Sequence, residues 1–348
     1  MSDLTIENTS VRGKVLIIVE GERHEPEFLE LLFRSFPQIA FKAKKIISYC
    51  TNIYTLYNQI ISEYGNQCFK NNDDIDLPFL VTRNNSQYTT PLRKTNFTDI
   101  FLIFDYERQD PFFSEQKIIE LQEYFVDSAN MGKLYINYPM LESYKDFARL
   151  PDISFVEKRA FVSADGIKNY KAAVHDTYIA RQMGFYNRLK SILSHHLEGD
   201  NLTKVLDALL LLRDANDSSS FFMRIKESLG LGFKQQIEDN LVYQIRGEII
   251  RQGYIQNSMD YWEHLRRIFI GIIIANIQKA HKIQFGSNHI NSDLKEFFEE
   301  LALTVILKEQ NKCSEGDYGF VWVLNTCVLL VPDYNFALID NDLSESCN

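Results

Sequence analysis

Paired cysteines are missing from this chain. Cys50, Cys68, Cys313, Cys327 and Cys347 are scattered, odd in number and without CxxC spacing, which excludes a zinc ribbon and a disulfide framework and fits a reducing cytoplasm. Long apolar runs are missing too. The longest, Ile268 to Ile277, is too short to cross a bilayer, and the leading MSDLTIENTSVRGK holds no apolar signal core, so a soluble protein with no membrane partner is expected. The SLGLGF segment with Gly230 and Gly232 has neither a preceding strand nor a Gly-Lys-Thr ending, so it is no nucleotide P-loop. His175, His195, His196, His264, His281 and His289 match no HExxH or zinc-finger spacing, which leaves them as surface or partly buried residues. Positive charge is in deficit as well: 37 Lys and Arg against 47 Asp and Glu leave a net charge of −10. Any polyanionic ligand would have to be held by local basic groups and bound metal, without long-range attraction.

What is present is enough apolar content, 45% of 348 residues, for two domains with real cores. Short apolar strands alternating with helical stripes predict an α/β domain over residues 12–150 with a mainly parallel sheet flanked by helices. The expected strands are Lys14 to Val19, Lys44 to Cys50, Ile100 to Phe104 and Leu134 to Asn137. Helices are expected from Pro26 to about Phe36, after Thr51 as N-cap through Ile61, and from the Ser114 cap to about Val126. Residues 65–98, rich in Asn, Asp, Gln and Thr, read as a long inserted connection. Over residues 151–340 helical stripes dominate: Tyr178 to His195, Leu202 to Arg213, Phe221 to Leu229, Ile237 to Arg251, Met259 to His281 and Leu294 to Glu309. The run Val321 to Val331 reads as either a buried helix or a strand, and the tail DNDLSESCN as frayed.

Three carboxylate clusters stand where apolar runs end: Glu20 after KVLIIV, Asp105 and Glu107 after DIFLIF, and Glu142 after KLYINYPML. Parallel strands would gather them at the carboxyl edge of one sheet, where α/β folds build sites. Carboxylates packed together repel unless a cation is present, and oxygen-only ligands favour a hard ion such as Mg²⁺ or Mn²⁺. Asp105 and Glu107, two apart on an extended segment, would face one side and share an ion, with Asp110 as an outer ligand. Glu22, Glu25, Glu27 and Glu30 instead read as carboxylates at the positive end of the next helix or facing water. For Glu142 the helix-start reading carries even weight.

On these residues the chain resembles the Toprim family. The family's Glu-Gly after a strand stands here as IIVEGERHEP, and its Asp-x-Asp as LIFDYERQD, with Glu107 in place of the second Asp. Asn137, Pro139 and Glu142 in NYPMLE are similar to the Asn-x-Pro element and downstream Glu of RloB-like proteins, and the whole resembles the RloB-like and OLD-like nucleases of bacterial anti-phage systems. The resemblance covers residues 12–147 and implies a divalent-metal-dependent nuclease acting on DNA or RNA, tRNA included, as the toxic effector of a defence system. It implies Asp105 and Glu107 on the principal metal, Glu20 as bridging ligand or general base, Glu142 at a second site, and a separate ATPase or sensor subunit as partner.

Phosphodiester chemistry also needs cationic groups. Arg23 and His24 lie beside the acidic edge, Lys145 shares a face with Glu142 if that segment is helical, and Lys158, Arg159, Lys168 and Lys171 follow. Solvated surface lysines account for most such residues. Aromatics in the helical half, among them Phe221, Phe222, Tyr243, Tyr254, Tyr261, Trp262 and Phe269, read as core ahead of a base-stacking platform. Ile268 to Ile277, apolar around most of its circumference, is expected to be buried within the chain or against a second copy, which would make a homodimer. The competing readings are primase-like nucleotidyl transfer or topoisomerase-like strand passage on the same fold, neither with supporting residues here. The other alternative is a non-catalytic acidic module or inhibitor that docks a partner protein.

Overall fold

A computed structural model describes residues 12–39, 41–85, 88–210, 227, 235–252, 261–286, 293–316 and 319–339. The strands are β1 (Arg12–Val19), β2 (Phe41–Ser48), β3 (Asp99–Asp105), β4 (Val126–Asp127) and β5 (Gly132–Asn137), ordered β2-β1-β3-β5-β4. The first, second, third and fifth pair in parallel, and the two-residue β4 closes the edge antiparallel. Helices α1 (His24–Ser35), α2 (Ile53–Tyr64), α3 (Cys68–Asn71), α4 (Leu77–Thr82) and α5 (Glu115–Tyr124) connect these strands. The expected mainly parallel sheet flanked by helices is therefore present. Val15 through Val19 have no exposed surface, which is why this strand reads as a continuous apolar run: a parallel strand is covered on both faces. β1 lies between β2 and β3, so the strand order reverses at β1, and the carboxyl end of such a switch point is where open α/β sheets bind ligands.

Several boundaries differ from the sequence reading. Asn52, not Thr51, caps α2 by accepting the Thr55 N–H at 2.9 Å, because its side chain reaches the N–H three residues ahead as a cap requires. The connection over 65–98 is folded: Cys68, Ile75, Leu77 and Leu80 are buried, and Asp76 caps α4. These apolar residues are too irregularly spaced among Asn and Asp to show a period. Ser114 caps α5 as expected. Gly132, which opens β5, has φ +123°, and a Cβ there would stand 2.9 Å from Leu102 and 3.4 Å from Phe125. Gly132→Ala is expected to cost about 2 kcal/mol through backbone strain and overpacking. Urea unfolding would measure it; an unchanged midpoint would refute that account of the turn.

Beyond the sheet come β6 (Arg159–Phe161), α6 (Ala164–Val174), α7 (Tyr178–Ser194), α8 (Gly199–Leu210), α9 (Gln235–Gln252), α10 (Tyr261–Phe285), α11 (Leu294–Glu299), α12 (Leu303–Cys313), β7 (Phe320–Trp322) and α13 (Leu330–Tyr334). The stripe Leu294 to Glu309 is thus two helices, and the run Val321 to Val331 begins in a strand and ends in a helix. Phe221 to Leu229, apart from Glu227, the SLGLGF glycines, His289, Tyr254 and the C-terminal DNDLSESCN fall outside the described residues.

Of the core expectations, Tyr261 and Phe269 are buried whereas Tyr243 is exposed. Helix α10 is enclosed by this same chain, with Phe269 against Phe28 of α1 at 5.8 Å between ring centroids. The apolar circumference that suggested a second copy is covered from within. Buried Lys279 of α10 donates to the carbonyls of Phe155 and Lys158 at 2.7 Å each, and burial pushes its pKa down to about 6. That lysine fixes the segment leading into β6.

The chain finally returns to the sheet. Tyr138 and Leu324 form an antiparallel bridge, Thr326 Oγ1 donates to the Ile136 carbonyl at 2.8 Å, and Asp333 pairs with Lys133 at 2.7 Å. No helix among the described residues is long and apolar enough to cross a membrane.

Candidate active site

Glu20 follows the last residue of β1, and Asp105 is the last residue of the neighbouring β3. Parallel pairing sets both at the same edge, and the Asp105 N–H donates to Glu20 Oε2 at 3.1 Å. Asp105 Oδ1 in turn accepts the Leu141 N–H at 2.8 Å. The segment after β5 is thereby drawn to the same point, and it carries Glu142 on a short 3₁₀ turn, Leu141–Lys145, where the side chain is buried. Glu142 is both a turn-start carboxylate and a member of the cluster.

Glu107 differs from the expected arrangement. Extended geometry ends at Asp105: Tyr106 turns inward, its hydroxyl donating to Asn311 at 2.7 Å, and Glu107 adopts φ +40°. This left-handed conformation, uncommon for a residue with a Cβ, re-aims Glu107 through a tight turn closed by the Asp110 N–H donating to the Glu107 carbonyl. Asp110 accepts from Asn52 Nδ2 at 2.6 Å and from the Phe112 N–H at 2.7 Å, so both its oxygens are engaged.

Glu25 stands in the first turn of α1, at the helix start where the sequence reading set it, but it does not face water. It is buried, and its Oε2 lies where a Cβ on Gly21 would come within 2.6 Å, so the glycine leaves room for the carboxylate. There its charge acts on Asp105 and it feels that of Glu142.

Burial and neighbouring charge make Glu20, Glu25, Asp105 and Glu107 harder to ionise. Burial first, then the charge on Glu107, pushes Glu20 up to about 8. Burial followed by Glu20, Glu142, Glu25 and Glu107 holds Asp105 well above the usual range. Glu25 is raised by burial and Glu142, and Glu107 by burial and Asp110, with the Asn52 amide opposing. A site of this kind takes up protons when no other cation balances it. The donor chemistry, all hard oxygen with excess negative charge, fits a divalent ion such as Mg²⁺ or Mn²⁺. Among the described residues, however, no group of three or more His, Cys, Asp or Glu side chains is disposed to hold an ion as the side chains stand.

This charge balance has a measurable sign. Glu20 titrates near 4.5 when unfolded and about 8 when folded, so its contribution to stability is complete below the first value and is lost as pH rises through the second. Without divalent ions the melting temperature is expected to fall between pH 5 and 8, and millimolar Mn²⁺ is expected to raise it more at pH 8 than at pH 5. A flat profile with no metal response would rule out an ion-compensated cluster.

The cationic candidates separate. Arg23 pairs with Glu27 at 2.9 Å on the surface, and Lys158 donates to Asp146 at 2.8 Å and to its carbonyl at 2.7 Å. Lys145 lies on the 3₁₀ turn with Glu142, and burial lowers its pKa while Glu142 and Glu27 oppose that shift. Lys168 is exposed on α6 and lines an open depression of about 450 Å³ with Lys171, Ala172 and His175. Lys171 reaches Glu142 Oε1 at 3.5 Å. His264 bonds Gln182 at 2.9 Å and His281 stacks on Phe297; Cys50, Cys68, Cys313 and Cys327 are unpaired.

Sequence reasoning missed Glu25, Asn52 and the contact made by Lys171. Glu25 was signalled by the small Gly21 beside it, and Asn52 by its cap position just past a strand end. Nothing local marks Lys171, because its partner lies on a distant turn. Comparison of the chain with protein-family models, with curated proteins and with solved structures finds no match.

Proposed function

We propose that this chain is a divalent-metal-dependent nuclease of Toprim type that hydrolyses phosphodiester bonds. The observation that carries the reading is the meeting of Glu20, Asp105 and Glu142, with Glu25 and Glu107 around them, at the carboxyl edge of a parallel sheet. Glu20, Asp105 and Glu107 would hold the ion once the side chains of Glu20 and Glu107 rotate toward Asp105, with Glu25 and Glu142 nearby. When bound, it would supply a lowered water pKa and charge neutralisation at the phosphoryl oxygens.

The remaining steps belong to the chain. Leu141 N–H fixes the Asp105 carboxylate, so its other oxygen keeps one direction. Glu20, whose second oxygen is not spent on Asp105, would take the proton from the attacking water as the new P–O bond forms, while the ester P–O bond breaks and the leaving oxygen takes up a proton from solvent. Lys171, the cation at the rim beside Glu142, offers charge to the phosphate before and after cleavage.

The test is incubation of the purified protein with single-stranded DNA, duplex DNA, bulk RNA and tRNA in Mg²⁺, Mn²⁺ or EDTA. Cleavage that needs a divalent ion is expected. Cation binding with no cleavage of any nucleic acid would instead favour the acidic docking module.

A further inference from the structure

Strands β6 and β7 form a two-stranded antiparallel ribbon whose register sets Arg159 opposite Trp322, Ala160 opposite Val321 and Phe161 opposite Phe320. Alternation sends the middle pair inward, where Ala160 and Val321 are buried. Trp322 also lies against the core along one side. The outward face nonetheless carries three aromatic rings and an arginine: Phe161 is 61% exposed, Arg159 is exposed, and Phe320 and Trp322 are half-buried.

The arginine organises the face. Its guanidinium stands 4.5 Å from the Phe320 ring centre and 4.3 Å from that of Trp322, and the Lys282 ammonium is 5.5 Å from Trp322. Among the described residues, the nearby carboxylate Glu157 is paired with Lys282. Aromatic faces interleaved with cations on a protein of net charge −10 are matched to a ligand that brings both flat apolar rings and negative charge. Unpaired nucleotides have both; an acidic peptide lacks the rings, and duplex bases are already stacked.

The ribbon also leads to the carboxylates. Two residues after Trp322, Leu324 bridges to Tyr138, next to Asn137, the strand partner of Asp105. Helix α6 starts against the ribbon, where Gly166 packs on the Phe161 backbone, and reaches Glu142 through Lys171. From its first residue to Lys171 is a rise of roughly 10 Å, a few nucleotides of extended strand, with Lys168 on the way.

We propose that Arg159, Phe161, Phe320 and Trp322 form a stacking platform for unpaired nucleotides of a single-stranded nucleic acid, whose backbone follows Lys168 and Lys171 toward the acidic edge. The direction of the strand rests on the nuclease reading; the platform itself is tested by binding alone. Fluorescence anisotropy of the full chain in EDTA would be measured with labelled single-stranded oligonucleotides, an abasic strand of equal length and the matching duplex. Single strands are expected to bind best, and Phe161→Ala to weaken them about tenfold. Phe161→Trp should restore binding, and the exposed site should leave the melting temperature unchanged. Equal affinity for abasic and base-bearing strands, unchanged affinity in both Phe161→Ala and Trp322→Ala, or no binding of any strand would overturn the platform, the first two pointing to a protein contact there. If the platform variants lose binding while no divalent ion supports cleavage, the platform stands and the nuclease reading fails. If cleavage stands and the variants bind normally, the reverse holds.

Discussion

Glu20→Gln and Asp105→Asn are each expected to lower cleavage about a thousandfold or more, while the folded protein becomes no less stable. The magnitude follows from removing a charged group aimed at the charge that develops in the transition state. The stability follows from what these side chains do at present. Gln at 20 keeps an oxygen to accept the Asp105 N–H, and Asn at 105 keeps one for Leu141. Each substitution also deletes one member of a cluster in which burial and neighbouring carboxylates already oppose ionisation. At pH 8 the melting temperature without metal should therefore hold or rise, and its gain with Mn²⁺ should shrink. Activity loss accompanied by destabilisation would make these residues structural. Undiminished cleavage would remove them from the site.

The parts of this site that were legible in the sequence are those a strand dictates. Val15 through Val19 and Ile100 through Phe104 are apolar without interruption because both faces of the sheet are covered, so the first charge after each run marks the edge. That logic places Glu20 and Asp105 and gives the parallel order. It fails for Glu25, because a carboxylate in the first turn of a helix looks the same whether it faces water or a crevice. It fails for Glu107, where two-residue alternation assumed an extended chain and the backbone turns to φ +40°.

The helical half was legible as helices but not in its connections. No Gly or Pro marks the break between α11 and α12, and β6 and β7 are three residues each, too short to show a period. Their pairing, and the return of residues 324–333 to the sheet, arise from contacts between segments more than a hundred residues apart. Periodicity within a window carries no information about such contacts.

That return gives the second large effect, at a residue with no place in the chemistry. Asn325 has no exposed surface and uses nearly all its polar atoms: its N–H donates to Asn276 Oδ1 at 2.7 Å, and Nδ2 to the Leu141 carbonyl at 2.7 Å and to Ser143 Oγ at 3.2 Å. Its Oδ1 accepts the Val328 N–H at 3.3 Å. Asn325→Ala would leave the Leu141 carbonyl and the Val328 N–H buried without these partners and open a small void, at a cost of about 3 kcal/mol.

The consequence extends to activity, because Leu141 is held from both sides, its carbonyl by Asn325 and its N–H by Asp105. Releasing one side frees the turn that carries Glu142 and loosens the carboxylate it steadies. Cleavage measured well below the unfolding transition is expected to fall at least about tenfold, since small displacements of positioning groups weigh heavily on rate. Ser143→Ala, which removes only the longer of the two Nδ2 contacts, should cost far less in both respects. Urea titration and single-turnover kinetics on the two variants separate the effects. If Asn325→Ala unfolds more easily yet cleaves at the full rate, the C-terminal segment props the sheet without positioning the site.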